Sequence, residues 1–333
     1  MTTFPVPLRT ERPHDDRASL ITLALTTLPG VRMRRRDAAR LAALVRKFEH
    51  AIDGNAPQDV DIAPRLERLW AAADDATRRP TRRALAIFVD DDWDHTVTLP
   101  QPVFDRVVLD SHFDTRDLLY AEQFHPPFRV LAIDGGEARL YESYEDALLE
   151  RHVVRAPSPG TADDRSFEHL IVDDVEAIDA KDPRPLVLAC RDDDLAAQVA
   201  ANLACWVGDL GESWSLDRLA RLHRAARVRV SDWCGARARM AIPDASEPGW
   251  VFGSERVQRA VAADPRGLLL LEAHKNDGPH RGIFVVHPPD FGSRPTGINA
   301  AVARVRARGG RVQFVEDGDL RAFDGVAYRV PES

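Results

Sequence analysis

Short apolar runs that alternate with amphipathic helical patterns constrain the fold of this chain more than any other feature of its sequence. The first run, SLITLALTTL at residues 19–28, is rich in Thr and β-branched residues and closes at Pro29-Gly30, so it predicts a buried strand. A helix is predicted directly after it, because an apolar stripe recurs at helical spacing: Leu41, Leu44, Val45 and Phe48. A strand and a helix that share one core indicate an α/β architecture.

The same alternation continues to the first proline pair of the chain. A second amphipathic helix is predicted over residues 64–79, and β-type runs follow at 83–92, 94–100 and 105–110. A helix over 115–123 completes this part. Pro126-Pro127 then marks a junction, since neither proline can donate a hydrogen bond to a sheet. We therefore predict an N-terminal α/β domain at residues 1–125.

A middle domain is predicted at residues 126–242. It opens with a hairpin over 128–143, because two β-type runs flank Gly135-Gly136 and glycine supplies the positive φ that tight hairpin turns require. The polar stretch RAPSPGTADDRS at 155–166 predicts a loop. The remaining elements predicted here are a buried strand at 184–190, a helix at 193–206 and a long helix at 215–233 that Ser215 would cap.

A third α/β domain is predicted at residues 243–333. Its elements are a helix at 254–264, strands at 267–273 and 282–288 that suggest a hairpin, a helix at 298–308, and strands at 311–317 and 324–330. In the helix at 298–308 the predicted buried stripe is Ile298, Ala301, Val302 and Val305. The predicted fold class is thus multidomain α/β (α+β), with three α/β sandwich-like domains.

Length, charge and cysteine content limit the functions that the chain can have. Its 333 residues are enough for two or three domains with cores of their own, and its net charge of −8 means that any nucleic acid must be bound by local basic patches. Cys190, Cys205 and Cys234 match no zinc or redox spacing and are interpreted as reduced thiols. The first residues lack the apolar core of a signal peptide, and no run reaches the roughly 18 apolar residues of a membrane span, so a cytoplasmic protein with no membrane partner is expected.

Two arginine-rich segments are candidates for contact with phosphate groups. Arg32, Arg34, Arg35 and Arg36 surround a helix start, together with Arg40, although cations there oppose the helix dipole. A phosphate partner would explain that placement, and a solvated face explains it equally well. In the helix at 298–308 the edges of the buried stripe carry further arginines, namely Arg304 and Arg308 on one side and Arg306 on the other. Arginine stems beside an apolar stripe also occur without any ligand.

The sequence contains no nucleotide-binding glycine motif, no zinc-protease motif and no nucleophile elbow. Two acidic clusters, Asp90 to Asp94 and Asp192 to Asp194, offer oxygen ligands to a divalent cation, but hairpin turns and helix caps explain these aspartates as well. His274, His280 and His287 form a histidine-rich stretch that surface loops also explain. We assign no catalytic residue, no metal ligand and no cofactor from the sequence.

Three segments resemble the bacterial relatives of the archaeo-eukaryotic peptide-chain release factor and Pelota superfamily. They are ITLALTTLPG together with RALAIFVDDDWDHTVTLPQPVFDRVVLD, then FRVLAIDGGEARLYE, and finally the stretch from DPRGLLLLEAHK through INAAVARVRARGGRVQFVEDGDL to GVAYRV. The resemblance implies three domains, the last with a fold similar to that of the kink-turn-binding ribosomal proteins. It also implies a protein that binds the ribosome and ribosomal RNA and acts in termination, rescue or hibernation, with a translational GTPase as a further partner and no DNA.

The chain departs from this superfamily at the loop that carries catalysis. Release factors of the group have a Gly-Gly-Gln loop in the middle domain, and the corresponding segment here, RAPSPGTADDRS, has one glycine and no glutamine. The tight glycine conformation and the amide that orients water are therefore missing, and loss of peptidyl-tRNA hydrolysis is expected. Arg32, Arg34, Arg35, Arg36, Arg304 and Arg308 are the expected RNA contacts. Two other functions remain open, namely a metal-dependent hydrolase or nuclease that uses the aspartate clusters, and a non-ribosomal binding scaffold.

Overall fold

A computed structural model describes residues 20–53, 61–157, 166–210, 218–244, 247–272, 283–286 and 297–331. The strands in these ranges are β1 Leu20–Thr26, β2 Ala84–Val89, β3 Asp94–Leu99, β4 Arg106–Asp110, β5 Arg129–Asp134, β6 Glu137–Tyr144, β7 Ala147–Arg155, β8 Leu186–Cys190, β9 Trp206–Asp209, β10 Trp250–Phe252, β11 Leu268–Glu272, β12 Ile283–Val286, β13 Arg311–Val315 and β14 Val326–Arg329. The helices are α1 Arg35–Asp53, α2 Ala63–Arg78, α3 Arg116–Phe124, α4 Phe167–Asp179, α5 Asp193–Ala201, α6 Leu219–Arg239, α7 Ser254–Ala263 and α8 Gly297–Ala307.

The chain divides into two compact units. One contains the described residues of Glu122–Arg237, and the other contains those of Val6–Ala121 and Ala238–Ser333. The described strands and helices form several sheets covered by helices, so the predicted multidomain α/β class is confirmed. The boundaries predicted at residues 125 and 242 stay a prediction, as does the likeness of the last domain to kink-turn-binding proteins.

The first sheet has the strand order β12-β4-β1-β2-β3, with β1 antiparallel to both β2 and β4. Every residue of β2 is buried, and all of β1 except Thr26 is buried. Helices α1 and α2 supply the apolar side chains that cover this sheet, and they include the stripe predicted for α1: Leu41, Leu44, Val45 and Phe48. This packing confirms the interpretation of residues 19–28 as a buried strand with a helix packed on it.

Strand β12 joins this sheet from the other end of the chain. It runs parallel to β4, with Ile283 opposite Arg106 and Val286 opposite Leu109. The sequence suggested instead that residues 267–273 and 282–288 form a hairpin, and this prediction is wrong because β11 pairs with β13 and β14. An apolar run shows that a strand is buried without showing which sheet receives it.

The second sheet, in the unit of Glu122–Arg237, has the order β7-β6-β5-β8-β9. Its centre is the predicted hairpin β5–β6, whose turn contains Gly135 at φ +60°. Strand β8 adds to β5 in parallel, and α4 and α5 pack against the sheet through Ile171, Val175 and Val199. The sequence did not predict β7, α4 or β9. The predicted helix at 193–206 ends at Ala201, because Trp206 begins strand β9, and Ser215 lies outside the described residues.

The third sheet has the order β10-β14-β11-β13, in which β11 and β13 are parallel and both other pairings are antiparallel. Helix α8 precedes β13 along the chain and contacts both β13 and β11. Helix α7 packs beside α8 and contributes buried Val257 and Val261. Strand β10 is a further element that the sequence did not predict. No helix among the described residues is both long and apolar enough to cross a membrane.

Candidate functional site

The loop between β1 and α1 carries the densest group of exposed cations that the sequence singled out. Arg32, Arg34, Arg35 and Arg36 are all exposed. Within the part of the chain that the structure describes, none of these four side chains has an ion-pair or hydrogen-bond partner. We call this group the β1–α1 arginine cluster.

Buried groups fix the backbone beneath the β1–α1 arginine cluster. Met33 turns inward among the exposed arginines and joins the core beneath the sheet. The carboxylate of Asp37, which is 2% exposed, accepts a hydrogen bond from the Leu28 amide at 2.9 Å. On the other side of the loop, Gly30 exchanges two backbone hydrogen bonds with Thr81, at 3.0 and 2.8 Å. Arg32 and Arg34 therefore project from an anchored loop, and Arg35 and Arg36 project from the first turn of α1 that follows it.

Arg40 has a different role from the other arginines of this segment. Its guanidinium donates to the Thr26 carbonyl at 3.0 Å and to Asp37 at 3.2 Å, and it also pairs with Asp105. These contacts tie α1 to the end of β1. Asp37 lies in the first turn of α1, where a carboxylate favours the helix dipole, and it offsets part of the charge that Arg35 and Arg36 place there.

The structure adds surface features to this cluster that the sequence did not show. The Thr27 amide donates to the Arg83 carbonyl at 2.9 Å, which places the exposed Arg83 next to the loop. Two aliphatic side chains are also exposed beside the arginines, with Leu28 at 47% and Val31 at 88%. Arg83 was missed because it is distant in sequence and only the pairing of β1 with β2 brings it close.

Helix α8 holds the second group of predicted contacts. The stripe of Ile298, Ala301, Val302 and Val305 is buried as predicted, and Asn299 and Ala300 are buried as well. Arg304 is half-buried, and Arg306 and Arg308 are exposed. None of these three has an ion-pair partner among the described residues. The helix is first a core element, and its role as an RNA contact stays a prediction.

The acidic cluster at Asp90 to Asp94 forms the turn between β2 and β3, and two of its carboxylates face arginines of α2. Asp91 pairs with Arg65 at 2.5 Å and Asp94 with Arg68 at 3.7 Å. These contacts hold the hairpin turn against the helix. The aspartates therefore have a structural role in the protein itself.

The cluster at Asp192 to Asp194 begins helix α5. The carboxylate of Asp192 accepts a hydrogen bond from the Leu195 amide at 3.0 Å, and Asp193 and Asp194 occupy the first turn. This is the arrangement that capping and the helix dipole favour. Among the residues that the structure describes, no group of three or more His, Cys, Asp or Glu side chains is placed to hold a metal ion. His274, His280 and His287 lie outside the described residues.

An open cavity of about 490 Å³ lies between α5 and the edge of the second sheet, and Cys190, Asp193, Trp206 and Asp209 contribute to its walls. Burial raises the pKa of the Cys190 thiol, and this thiol donates to the Asp192 carbonyl at 3.3 Å. A thiol with a raised pKa stays protonated at neutral pH and is a poor nucleophile. The Cys190 thiol is therefore not an activated nucleophile.

The segment RAPSPGTADDRS, which the resemblance set against the catalytic loop of release factors, falls in the connection between β7 and α4, which begins after Arg155 and ends before Phe167. The sequence predicted a loop at this place, and both flanking ends are described, but residues 158–165 lie outside the described residues. The absence of a Gly-Gly-Gln motif is a property of the sequence alone.

The fold and these surfaces define a multidomain α/β protein with exposed arginine groups. No family model and no curated protein matches the chain. Among solved structures it is similar to Saccharomyces cerevisiae Dom34, described as a translation termination-like factor, with 10% identity, a TM-score of 0.43 and coverage of 74% of this chain and 72% of that one. It is also similar to Archaeoglobus fulgidus Pelota, with 15% identity, a TM-score of 0.39 and coverage of 75% and 80%.

A third similar structure is the archaeal translation termination factor aRF1, with 13% identity, a TM-score of 0.26 and coverage of 98% of this chain and 96% of that one. Every one of these TM-scores is below 0.5 and every identity is below 25%. These similarities by themselves therefore assign neither a family nor a function to the chain.

Proposed function

We propose that this protein is a ribosome-associated, release-factor-like binding protein that acts in translation termination, rescue or hibernation without hydrolysing peptidyl-tRNA. The observation that carries the proposal is the β1–α1 arginine cluster, in which four exposed guanidinium groups without partners among the described residues project from an anchored loop and the first turn of α1. Guanidinium groups bind phosphate through paired hydrogen bonds, which makes arginine well suited to an RNA backbone.

The contrast between the net charge of the chain and the local charge of the cluster supports the same proposal. The chain has a net charge of −8, so its average field repels RNA, and a local cluster of unpaired cations is what an RNA-binding surface on such a protein requires. The other arginine of this segment, Arg40, forms ion pairs with Asp37 and Asp105. The four arginines of the cluster have no such ion pair among the described residues, so their guanidinium groups are available to a ligand.

The lack of peptidyl-tRNA hydrolysis follows from the loop chemistry. The resemblance to release factors covers most of the chain, yet the segment RAPSPGTADDRS contains no glutamine to orient a water molecule. The partners in this proposal are the ribosome, through its RNA, and a translational GTPase. The site of action is the cytoplasm.

Co-sedimentation with ribosomes across a salt series tests this proposal. We expect binding at about 50 mM salt that falls steeply towards 200 mM, because phosphate contacts release counterions. Replacing the cluster (Arg32→Gln, Arg34→Gln, Arg35→Gln and Arg36→Gln together) is expected to reduce the slope of log K against log salt by about 3, at 0.7 to 0.9 for each contact.

The matched control replaces four exposed arginines elsewhere that also have no partner among the described residues: Arg221→Gln, Arg229→Gln, Arg256→Gln and Arg321→Gln. This control should keep the wild-type slope. If the wild-type protein does not sediment with ribosomal particles at any salt concentration, the proposed function is wrong. If the control and the cluster variant lose binding equally, the β1–α1 arginine cluster is not the contact surface.

A further inference from the structure

A second basic surface lies at the end of the third sheet where β11 and β13 begin and β14 ends. Arg266, Arg311 and Arg329 line an open depression of about 340 Å³ there, with Gly267 and Gly309 in its floor. We call it the arginine depression. Arg308, which is exposed, directly precedes the lining residue Gly309 in the chain. No residue of this surface except Arg308 was singled out by the sequence.

The register of the sheet sets the spacing of its cations. Leu268 of β11 is opposite Arg311 on one side and opposite Arg329 on the other. The Cα atoms of Arg311 and Arg329 therefore lie in one row across three strands. They are about 10 Å apart, because neighbouring strands are separated by roughly 4.8 Å. One nucleic-acid strand advances about 3.4 Å for each phosphate, so this row is wide enough to meet more than one phosphate of a backbone.

Only part of the positive charge is neutralised within the protein. Arg266 donates to both carboxylate oxygens of Asp264, at 2.9 and 2.6 Å, and these hydrogen bonds lower the pKa of Asp264 to about 2. The pair is therefore neutral overall, and it holds Arg266 in place. Arg308 and Arg311 have no carboxylate partner among the described residues. The depression keeps a net positive charge in a chain that is acidic as a whole.

The frame behind the depression is tightly packed. The Tyr328 hydroxyl is fully buried, accepts a hydrogen bond from the Gly267 amide at 2.8 Å and donates to the Asp264 carbonyl. A Cβ at Gly267 would lie 2.0 Å from the Arg329 carbonyl oxygen, so only glycine allows this approach. The guanidinium groups are thus presented from a fixed scaffold, which lowers the entropic cost of ordering them around a ligand.

The chemistry of the surface selects an extended polyanion. Two backbone amides beside the depression already donate hydrogen bonds within the protein. The Arg311 amide donates to the Gly267 carbonyl and the Val330 amide donates to the Gly249 carbonyl, both at 2.9 Å. Recognition therefore rests on side-chain guanidinium groups, which pair with phosphate oxygens through two parallel hydrogen bonds. An open depression with a row of such groups fits a backbone that passes across it better than a small ligand that must be enclosed.

We propose that the arginine depression binds the phosphodiester backbone of RNA and is a second RNA contact, separate from the β1–α1 arginine cluster. This inference rests on the proposed function, because it names a further surface through which the protein contacts ribosomal RNA.

Fluorescence anisotropy with a labelled RNA hairpin of arbitrary sequence, measured across a salt series, tests the inference with the full chain. The double variant Arg311→Gln with Arg329→Gln is expected to lower the slope of log K against log salt by about 1.4 to 1.8, which corresponds to two lost phosphate contacts. The variant Arg311→Lys with Arg329→Lys should keep most of the slope, because lysine still supplies a point charge to phosphate.

The matched control is Arg256→Gln with Arg321→Gln, which removes two exposed arginines at the opposite end of the same sheet. Equal slopes for the control and for the Arg311/Arg329 variant would overturn the inference. A thermal unfolding curve for each variant separates lost contacts from lost structure. Displacement of the hairpin by ATP at an equal phosphate concentration would also overturn it, since the site would then bind free nucleotides.

The two proposals fail in different ways. If wild-type protein sediments with ribosomes and the Arg311/Arg329 variant keeps its full salt slope in both assays, the inference is wrong and the proposed function stands. If wild-type protein does not bind ribosomes but binds the hairpin through Arg311 and Arg329, the proposed function is wrong and the arginine depression remains an RNA contact.

Discussion

At the scale of single residues, buried charges such as Asp114 are compensated by ion pairs, whereas some exposed charges have no partner among the described residues. Asp114 shows the first case: its side chain is inaccessible, and it receives hydrogen bonds from Arg106 and Arg116, both at 2.9 Å. The β1–α1 arginine cluster shows the second. The sequence contains both kinds of arginine without distinguishing them, because the distinction depends on which carboxylates the fold brings within reach.

The pH dependence of stability tests the buried network. Burial raises the pKa of the Asp114 carboxyl, but the charges of Arg106 and Arg116 outweigh burial and hold that pKa well below its usual value of 3.8. A carboxyl with a lowered folded-state pKa stabilises the protein fully above the unfolded-state pKa, and this stability is lost as the pH falls below about 4. We expect Asp114→Asn to cost about 3 kcal/mol at pH 7, because it removes the inaccessible carboxylate that pairs with the largely buried Arg106 and Arg116.

Urea unfolding at several pH values measures this effect. The difference in unfolding free energy between the wild type and Asp114→Asn should be constant from pH 7 to 5 and should shrink as the pH falls below 4. Asp74→Asn is the control, because the Asp74 pair with Arg78 is exposed and such pairs contribute under about 1 kcal/mol. A difference that does not change with pH would show that the Asp114 charge is not what stabilises the network.

At the scale of elements, the glycine pair after α8 shows how local sequence ends a helix. The Gly310 amide donates to the Val305 carbonyl at 2.9 Å and the Gly309 amide to the Arg306 carbonyl at 3.1 Å. Gly309 has φ +76°. This is the pattern of a helix end closed by a left-handed residue, and the glycine pair thereby turns the chain from helix α8 to strand β13.

The two glycines of this pair should respond differently to substitution. In Gly309→Ala the added Cβ would have no atom within 4 Å. The free energy of unfolding should therefore fall by only about 1 kcal/mol, the cost of a left-handed backbone conformation at alanine. At Gly310 an added Cβ would lie 2.4 Å from the Pro265 carbonyl oxygen and 2.8 Å from Val305 Cγ1, so Gly310→Ala should be more destabilising by at least about 2 kcal/mol. Urea unfolding of both variants checks this order. Equal losses would mean that packing at Gly310 is looser than the structure places it.

At the scale of the whole molecule, a chain with a net charge of −8 carries two separate groups of exposed arginines, one at the β1–α1 loop and one at the end of the third sheet. Both groups lie in the unit formed by Val6–Ala121 and Ala238–Ser333. The other unit contains the connection between β7 and α4, and the sequence of that connection has no glutamine. Both facts are the basis of the proposed function.

A peptide-release assay tests the loss of hydrolysis. Ribosomes carrying labelled peptidyl-tRNA should release no more peptide with this protein than without it, because RAPSPGTADDRS lacks the water-orienting side-chain amide and the glycine pair of the Gly-Gly-Gln loop. A release factor that has the Gly-Gly-Gln loop serves as the positive control. Sedimentation of the same mixture must confirm that the protein is bound. Release above background by the bound protein would show that another group performs the reaction.

The sequence by itself determined which segments are helices and strands wherever the pattern is local. The buried stripe of α1, the hairpin at Gly135 and the end of α8 were predictable, because apolar periodicity and glycine conformation act within a few residues. It was weaker where an element is short, which is why the four-residue β9 and the three-residue β10 were missed; β7 and α4 were missed although they have 9 and 13 residues.

Tertiary structure alone decided which distant elements pair and which charged side chains form ion pairs. Strand β12 pairs with β4, and Arg83 lies beside the β1–α1 arginine cluster. Arg40 forms ion pairs with Asp37 and Asp105, whereas the four arginines of the cluster stay exposed. Arg311 and Arg329 meet across β11 only because of the strand register. The physical reason is that hydrogen-bonded strands and ion pairs depend on distances between residues far apart in the chain, and no local pattern encodes those distances.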